Sequence, residues 1–297
     1  MVTIEGIIRI GGTTKVSKKI GLVGYGYWGS KLARCFSQLG VLEGVVEPDP
    51  QRNIKATEFC GRIFNSLSDM INALDNLDAI AVSTPPETHY GIARETLNAG
   101  KDVFIEKPMT VNSIEAEALN KLAETRGCNL MVGHIYLHNE GIKAMTIPVG
   151  KAELYVQLLN EVGAPSNSTR DVIWAGLPHA CSLALHFFPD WPEHIEAKLD
   201  GQRIRVKLQY WNGSVAFLDV GDNTGRKLRK VELRNGENPP QTFDVAIPNC
   251  LNGKQVVADN PEPLKTECES FLGYQGVDPM GLQVVKLIEE ILHASKP

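Results

Sequence analysis

Over the first half of the chain, short apolar runs alternate with segments of helical period. From Lys19 onward the runs are Ile20–Val23, Gly44–Glu47, Ala79–Ser83, Val103–Glu106 and Leu130–Val132, rich in Val and Ile. Between them, Ser30–Leu39, Asn53–Cys60, Leu67–Leu74, Thr88–Ala99 and Ser113–Arg126 repeat apolar positions at helical spacing. A strand covered by helices on both faces has no polar side, so its run is nearly continuous, whereas each covering helix needs only one apolar stripe. The alternation predicts a doubly wound parallel sheet. Ser113 with Glu115 and Glu117 marks one helix start, and Gly100 and Gly127 mark two helix ends.

After about Gly150 the period shortens. Leu154–Leu159, Ile195–Leu199, Arg203–Tyr210, Ser214–Val220, Lys227–Leu233 and Gln241–Val245 alternate partially every two residues, with turn signals at Trp211-Asn212-Gly213 and Asn235-Gly236. These predict a mainly antiparallel sheet on which the helices Cys181–Phe188 and Met280–His293 pack. The fold class is therefore α/β: a Rossmann-type domain over residues 19–140, then an α+β domain over 141–297 for substrate and oligomerisation. Residues 1–18 read as an N-terminal extension in which 6–12 form a short strand before a Gly-Gly-Thr-Thr joint.

Composition narrows the class. At 297 residues and 43% hydrophobic, the chain can bury two cores. Its net charge of −5 argues against nucleic acid or an acidic membrane surface as partner. No apolar run approaches the roughly 18 residues that span a bilayer. Six cysteines without a Cys-x-x-Cys pair read as reduced thiols, and the seven histidines lack metal-ligand spacing. The expectation is a soluble cytoplasmic protein without a metal.

Candidate chemistry lies at the carboxyl ends of the predicted strands, where open α/β sheets bind their ligands. Gly24-Tyr25-Gly26-Tyr27-Trp28-Gly29 follows the first strand and opens a helix. Its glycines permit a tight turn, close approach of pyrophosphate and tight helix–strand packing, with the helix N-terminus facing the phosphates. Glu47 ends the second strand, where an acid accepts from the adenosine ribose and repels a 2′-phosphate, favouring NAD over NADP. Asp49 is a rival for that role, with helix capping as its alternative, and Arg52 keeps NADP open. Ser83-Thr84-Pro85 ends the third run, which puts His89 near the cofactor edge. Glu106-Lys107-Pro108 ends the fourth. A lysine there is partly desolvated, which lowers its pKa and suits proton exchange with a hydroxyl; the plain alternative is a surface Glu-Lys pair. His134 follows the fifth run. His179 enters the Cys181–Phe188 helix, and a histidine beside an apolar helix is commonly structural.

These residues resemble the glucose–fructose oxidoreductase / inositol dehydrogenase (Gfo/Idh/MocA) family of NAD(P)-dependent sugar oxidoreductases. The resemblance rests on residues 24–29, 83–89, 99–108 and 131–134, with a further match at 263–272. Residues 27–28, 133–139 and 174–179 look most like the nucleotide-sugar 3-dehydrogenase branch. The resemblance implies Lys107 as the catalytic acid/base and His179 as a second proton-handling or substrate-orienting residue. It also implies Glu106 and His134 beside the nicotinamide riboside, Asn160 touching sugar, and a homodimer or homotetramer. The chain departs from the family's Trp-Asp-x-x-Pro-His-Asp pattern, with Ala175 and Ala180 at the two acid positions. Two other readings stay open: a related oxidoreductase of polyols or other carbonyls, and a nucleotide-binding sensor or accessory subunit without turnover.

Overall fold

Strands and helices alternate through residues 20–133: β1 (Ile20–Val23), α1 (Tyr27–Gln38), β2 (Leu42–Val46), α2 (Pro50–Ala56), β3 (Ile63–Phe64), α3 (Leu67–Ala73), β4 (Ala79–Val82), α4 (Pro86–Asn98), β5 (Asp102–Glu106), α5 (Ser113–Arg126) and β6 (Leu130–Gly133). The structure is a computed structural model that describes residues 18–160, 169–222, 224–225, 227–236, 238–244, 250–256 and 262–296. All six strands are parallel, in the order β3-β2-β1-β4-β5-β6. That order reverses between β1 and β4, the switch point of a Rossmann sheet. Every residue of β1, β4 and β6 is buried, which is why these runs carry no polar alternation.

Local chemistry sets the helix limits. Asp49 accepts from the Gln51 and Arg52 amides with Pro50 at the first helical position, so α2 begins three residues before the expected Asn53. Pro86 likewise starts α4 ahead of Thr88. Asn112 caps α5 by accepting from the Glu115 amide, and Gly127 ends it at φ 64°. Val46 is the last residue of β2, and Glu47 lies just beyond it.

The second half contains α6 (Glu140–Lys143), β7 (Glu153–Leu159), α7 (Thr169–Phe187), β8 (His194–Asp200), β9 (Arg203–Gln209), β10 (Val215–Gly221), β11 (Leu228–Arg234), β12 (Gln241–Asp244), β13 (Cys250–Leu251), β14 (Lys254–Gln255), α8 (Pro263–Gly273) and α9 (Pro279–Ala294). Its sheet runs β14-β13-β12-β11-β7-β10-β9-β8, antiparallel except for the central parallel pair β7–β10. Both expected hairpin turns join antiparallel neighbours, β9 to β10 and β11 to β12. Expected strand residue Val245 and the short strand at 6–12 lie outside the described residues. The α7 helix begins far ahead of the expected Cys181, because Pro178 sits inside it rather than at its start. An internal proline normally breaks a helix, yet here α7 lies on β7, β9 and β10, and that packing holds it in one piece.

Two C-terminal helices tie the halves together. The α8 helix packs on α1, and Phe271 meets Phe104 of β5 at 5.5 Å between ring centroids, with Phe36 of α1 on the other side at 6.4 Å. The α9 helix packs on α5, α7 and β8. Lys18, placed in the extension by its sequence position, is instead buried: its ammonium pairs with Asp102 at 2.9 Å and lies over the Phe271 ring. Glu267 of α8 is 1% exposed, and among the described residues neither carboxylate oxygen has a hydrogen-bond partner. Burial, and then the charge of Glu106, push its pKa well above 4.5.

Removing the Phe104 ring by Phe104→Ala should cost about 3–5 kcal/mol of unfolding free energy, read as a lower denaturant midpoint. Glu267 yields a pH signature. Its folded pKa is raised, so the folded state keeps a proton that the unfolded chain releases above about pH 4.5, and wild-type stability falls as pH rises from there. Glu267→Gln removes that loss. The variant should match wild type near about pH 4 and exceed it near about pH 8 in denaturant titrations; equal stability at both pH values would count against the buried acid.

Candidate active site

The loops after β1, β2, β4 and β5 open on one cleft of about 950 Å³ at the carboxyl edge of the parallel sheet, and Trp174 and Ala175 of α7 form part of its wall. Gly24 has φ +94°, and a Cβ there would stand 2.4 Å from the Ser83 carbonyl oxygen. A Cβ on Gly29 would stand 2.1 Å from the Gly24 carbonyl oxygen. Both positions therefore require glycine. Gly26 caps α1, and a Cβ there would meet nothing within 4 Å. The first turn of α1 holds no acid, and Gly26, Tyr27 and Trp28 line the cleft. A helix start exposed this way fits an anionic pyrophosphate.

Glu47 is 3% exposed; its two oxygens accept from the Tyr25 amide at 2.8 Å and the Asp49 amide at 2.9 Å. One carboxylate thus fixes the glycine turn to the end of β2, with Arg52 3.7 Å away. Asp49, the rival, is the α2 cap, although it also borders the cleft. Tyr25 is buried, with its hydroxyl on the Lys55 carbonyl. Tyr27 is exposed, with the Lys31 ammonium over its ring and over that of Trp28. Ser83 donates its amide to Val23, and Thr84 and Pro85 line the cleft. His89 is buried as a clip between two loops, Nδ1 on the Pro108 carbonyl at 2.8 Å and Nε2 on the Thr84 carbonyl at 2.9 Å. Desolvation lowers its pKa. Both carbonyls only accept, so the neutral ring donates to one of them while its other nitrogen lies against the second, and the ring bridges the third and fourth loops.

The reacting end gathers around Lys107. Its ammonium donates to the Ala175 carbonyl at 2.9 Å. Burial lowers its pKa below 10.5, Glu106 works against that shift, and Arg229 adds to it. Glu106 is buried and accepts from the Lys107 amide at 3.2 Å; desolvation pushes its pKa up to about 7. His134, just after β6, is buried with no partner on either ring nitrogen among the described residues, and burial lowers its pKa to about 3. His179 of α7 is buried with Nδ1 unpartnered, its ring 4.7 Å from that of Tyr136. Desolvation, then the charge of Lys107, hold its pKa well below 6.5. Two neutral imidazoles and a lysine that loses its proton readily can exchange protons with a hydroxyl. At the two positions where the resemblance leads one to expect acids, Ala175 offers only its carbonyl and Ala180 is fully buried.

Asn160 follows β7, but its side chain is engaged at both ends: Oδ1 accepts from Arg229 and Nδ2 donates to Asp222. Sequence reasoning did not single out Arg229, Tyr136 or Glu267. Arg229 sits in Lys227-Leu228-Arg229-Lys230, a pattern that reads as a solvated strand face. Glu267 belongs to the 263–272 match, which was read only as resemblance.

Among the described residues, no three His, Cys, Asp or Glu side chains cluster to hold a metal, and no helix is long and apolar enough to cross a membrane. Residues 18–134 match the model of the oxidoreductase family with an NAD-binding Rossmann fold. UDP-N-acetylglucosamine 3-dehydrogenase of Acidithiobacillus ferrooxidans is 32% identical over 121 residues, 40% of this chain and 38% of that protein. Inositol 2-dehydrogenase of Leifsonia xyli is 34% identical over 118 residues, 38% of this chain and 34% of that protein. The matched stretches therefore span little more than a third of these relatives. The fold likeness extends further: a solved structure of the Acidithiobacillus enzyme superposes with a TM-score of 0.81 at 22% identity, covering 93% of this chain and 97% of that one. Residues 18–134 are thus similar to the NAD-binding Rossmann domain of the Gfo/Idh/MocA oxidoreductase family, and the rest of the chain shares the fold of these enzymes.

Proposed function

We propose that the chain is an NAD-dependent oxidoreductase acting on a carbinol carbon of a sugar or nucleotide sugar, with Lys107 as the acid/base. The observation that carries this reading is the placement of Lys107. It stands at the end of β5, desolvated, in a cleft whose other end is the Gly24–Gly29 turn. Bound nicotinamide supplies the hydride acceptor or donor. In the oxidative direction, Lys107 receives the hydroxyl proton as the C–H hydrogen leaves as hydride and a carbonyl forms; reduction returns both. Glu106 and His134 lie where they would border the nicotinamide riboside, and His179 would orient the hydroxyl from the α7 side. Glu47 would accept from the adenosine ribose while holding the glycine turn. The likeness to a UDP-N-acetylglucosamine 3-dehydrogenase supports a nucleotide sugar. The likeness to an inositol dehydrogenase favours a polyol as the second reading.

Lys107→Ala should lower kcat by about 10²- to 10⁴-fold while NAD affinity stays within a few-fold, measured by NADH formation at saturating cofactor and by calorimetric titration. Substantial residual turnover would remove the lysine from its role. Glu47→Ala should weaken NAD by roughly tenfold and narrow the preference over NADP. An unchanged ratio of the two dissociation constants would move the ribose contact to Asp49.

A further inference from the structure

Near the reacting end, Lys107 and Arg229 together carry more positive charge than the adjacent Glu106 answers. Lys107 meets a carbonyl, not an acid, and its neighbour Glu106 has a pKa raised to about 7, so that carboxyl is only partly ionised near neutrality. A second cation lies close to Lys107 and His179. Arg229, the second residue of β11, is half-buried and donates from Nη1 to the Tyr136 hydroxyl at 3.2 Å and from Nη2 to Asn160 Oδ1 at 2.5 Å. Both partners are neutral. No carboxylate among the described residues forms an ion pair with it. The Asn160 amide bridges Asp222 and the guanidinium, spending Nδ2 on the acid and Oδ1 on Arg229.

The placement of this guanidinium is as informative as its charge. The Tyr136 ring lies tilted against that of His179, 4.7 Å between centroids, so Arg229 lies one aromatic residue away from the reacting groups. Its field reaches both Lys107 and His179. A half-buried cation beside a catalytic cation is unfavourable unless an anion joins them. The cofactor pyrophosphate does not serve, because its place is the α1 N-terminus on the other side of the cleft. Two neutral acceptors fix the guanidinium while leaving three of its five N–H groups to offer, which suits planar recognition of a carboxylate or phosphate.

Resting on the reading of the cleft as a sugar-oxidoreductase site, we infer that Arg229, held by Tyr136 and Asn160, is an anion-binding residue that selects a sugar substrate bearing a negatively charged group close to the carbinol that reacts. The anion is a carboxylate on the sugar ring or a phosphate on its anomeric oxygen. Both present oxygens to the same N–H groups.

Wild type and Arg229→Gln would be compared on five probes with NAD: UDP-N-acetylglucosamine, its uronic acid, free glucuronic acid, N-acetylglucosamine and myo-inositol. The expected result is a loss of roughly 10- to 100-fold in kcat/KM on the anionic probes, mostly through KM, with neutral probes and NAD affinity changed less than about threefold. Loss on free glucuronic acid assigns the carboxylate; loss confined to the two UDP sugars assigns the phosphate. Equal loss on neutral and anionic probes, or no loss on any anion, overturns the inference. Turnover of neutral probes alone would leave the oxidoreductase reading standing and sink the anion site. If no probe turns over with wild type, the functional reading fails separately. Calorimetric titration of the UDP sugars into NAD-loaded protein then decides, since weaker binding to Arg229→Gln supports the anion site and equal binding overturns it. Should the variant not fold, wild type still answers: KM, or Kd, for the anionic probes should rise with ionic strength while that for neutral probes stays flat, and a flat response for both overturns the inference.

Discussion

The site depends on one constraint: β5 is buried from Val103 onward and ends directly in two charged residues. Phe104 and Ile105 are fully buried, and Glu106 is nearly so. A chain leaving such a strand cannot hydrate its next side chains freely, so each charge must find a partner or shift its pKa. Glu106 finds only the Lys107 amide and takes up a proton more readily. Lys107 finds a helix carbonyl and gives one up more readily. The same desolvation moves the two groups in opposite directions, which brings the carboxyl and the amine closer in proton affinity. Acid–base chemistry near neutral pH needs that convergence.

The surroundings explain why the strand end stays dry. From below, α8 presses Phe271 against Phe104, and its Glu267 lies beside Gly133, the residue paired with Glu106 across β5 and β6. From above, α7 brings Trp174 and Ala175 over the cleft. Both helices come from the second half of the chain. The parallel sheet positions the lysine, and the later helices exclude the water that would otherwise restore its ordinary pKa. The lowered pKa of Lys107 and the assembly of the two halves therefore come from the same packing event.

This division of labour accounts for what could be read from sequence. The parallel sheet was legible because burial on both faces writes a continuous apolar run, and the glycine turn was legible because Gly24 and Gly29 leave no room for a Cβ. The start of α7 was not, since Pro178 carries the ordinary signal of a helix boundary and only packing on β7, β9 and β10 overrides it. His89 could be placed near the cofactor edge, but its two carbonyl contacts depend on Thr84 and Pro108 meeting in space. Asn160 could be assigned to the cleft, but the guanidinium that occupies its amide could not. Arg229 lies in a basic strand run that looks the same whether it faces solvent or Lys107. Period reports which face a residue takes, and only the fold reports what that face meets.

The charges of Lys107 and Arg229 are coupled. Arg229 contributes to the lowered pKa of Lys107, alongside the larger effect of burial. An anion docked on Arg229 would cancel part of that field and raise the proton affinity of the lysine as the substrate settles. A neutral substrate would leave the lysine at its lower pKa. Selection of an acidic sugar and adjustment of the acid/base group would then arise from one contact. Binding energy gained at the anion would appear partly as a lysine better able to hold the proton it removes, and so as transition-state stabilisation rather than uniform binding.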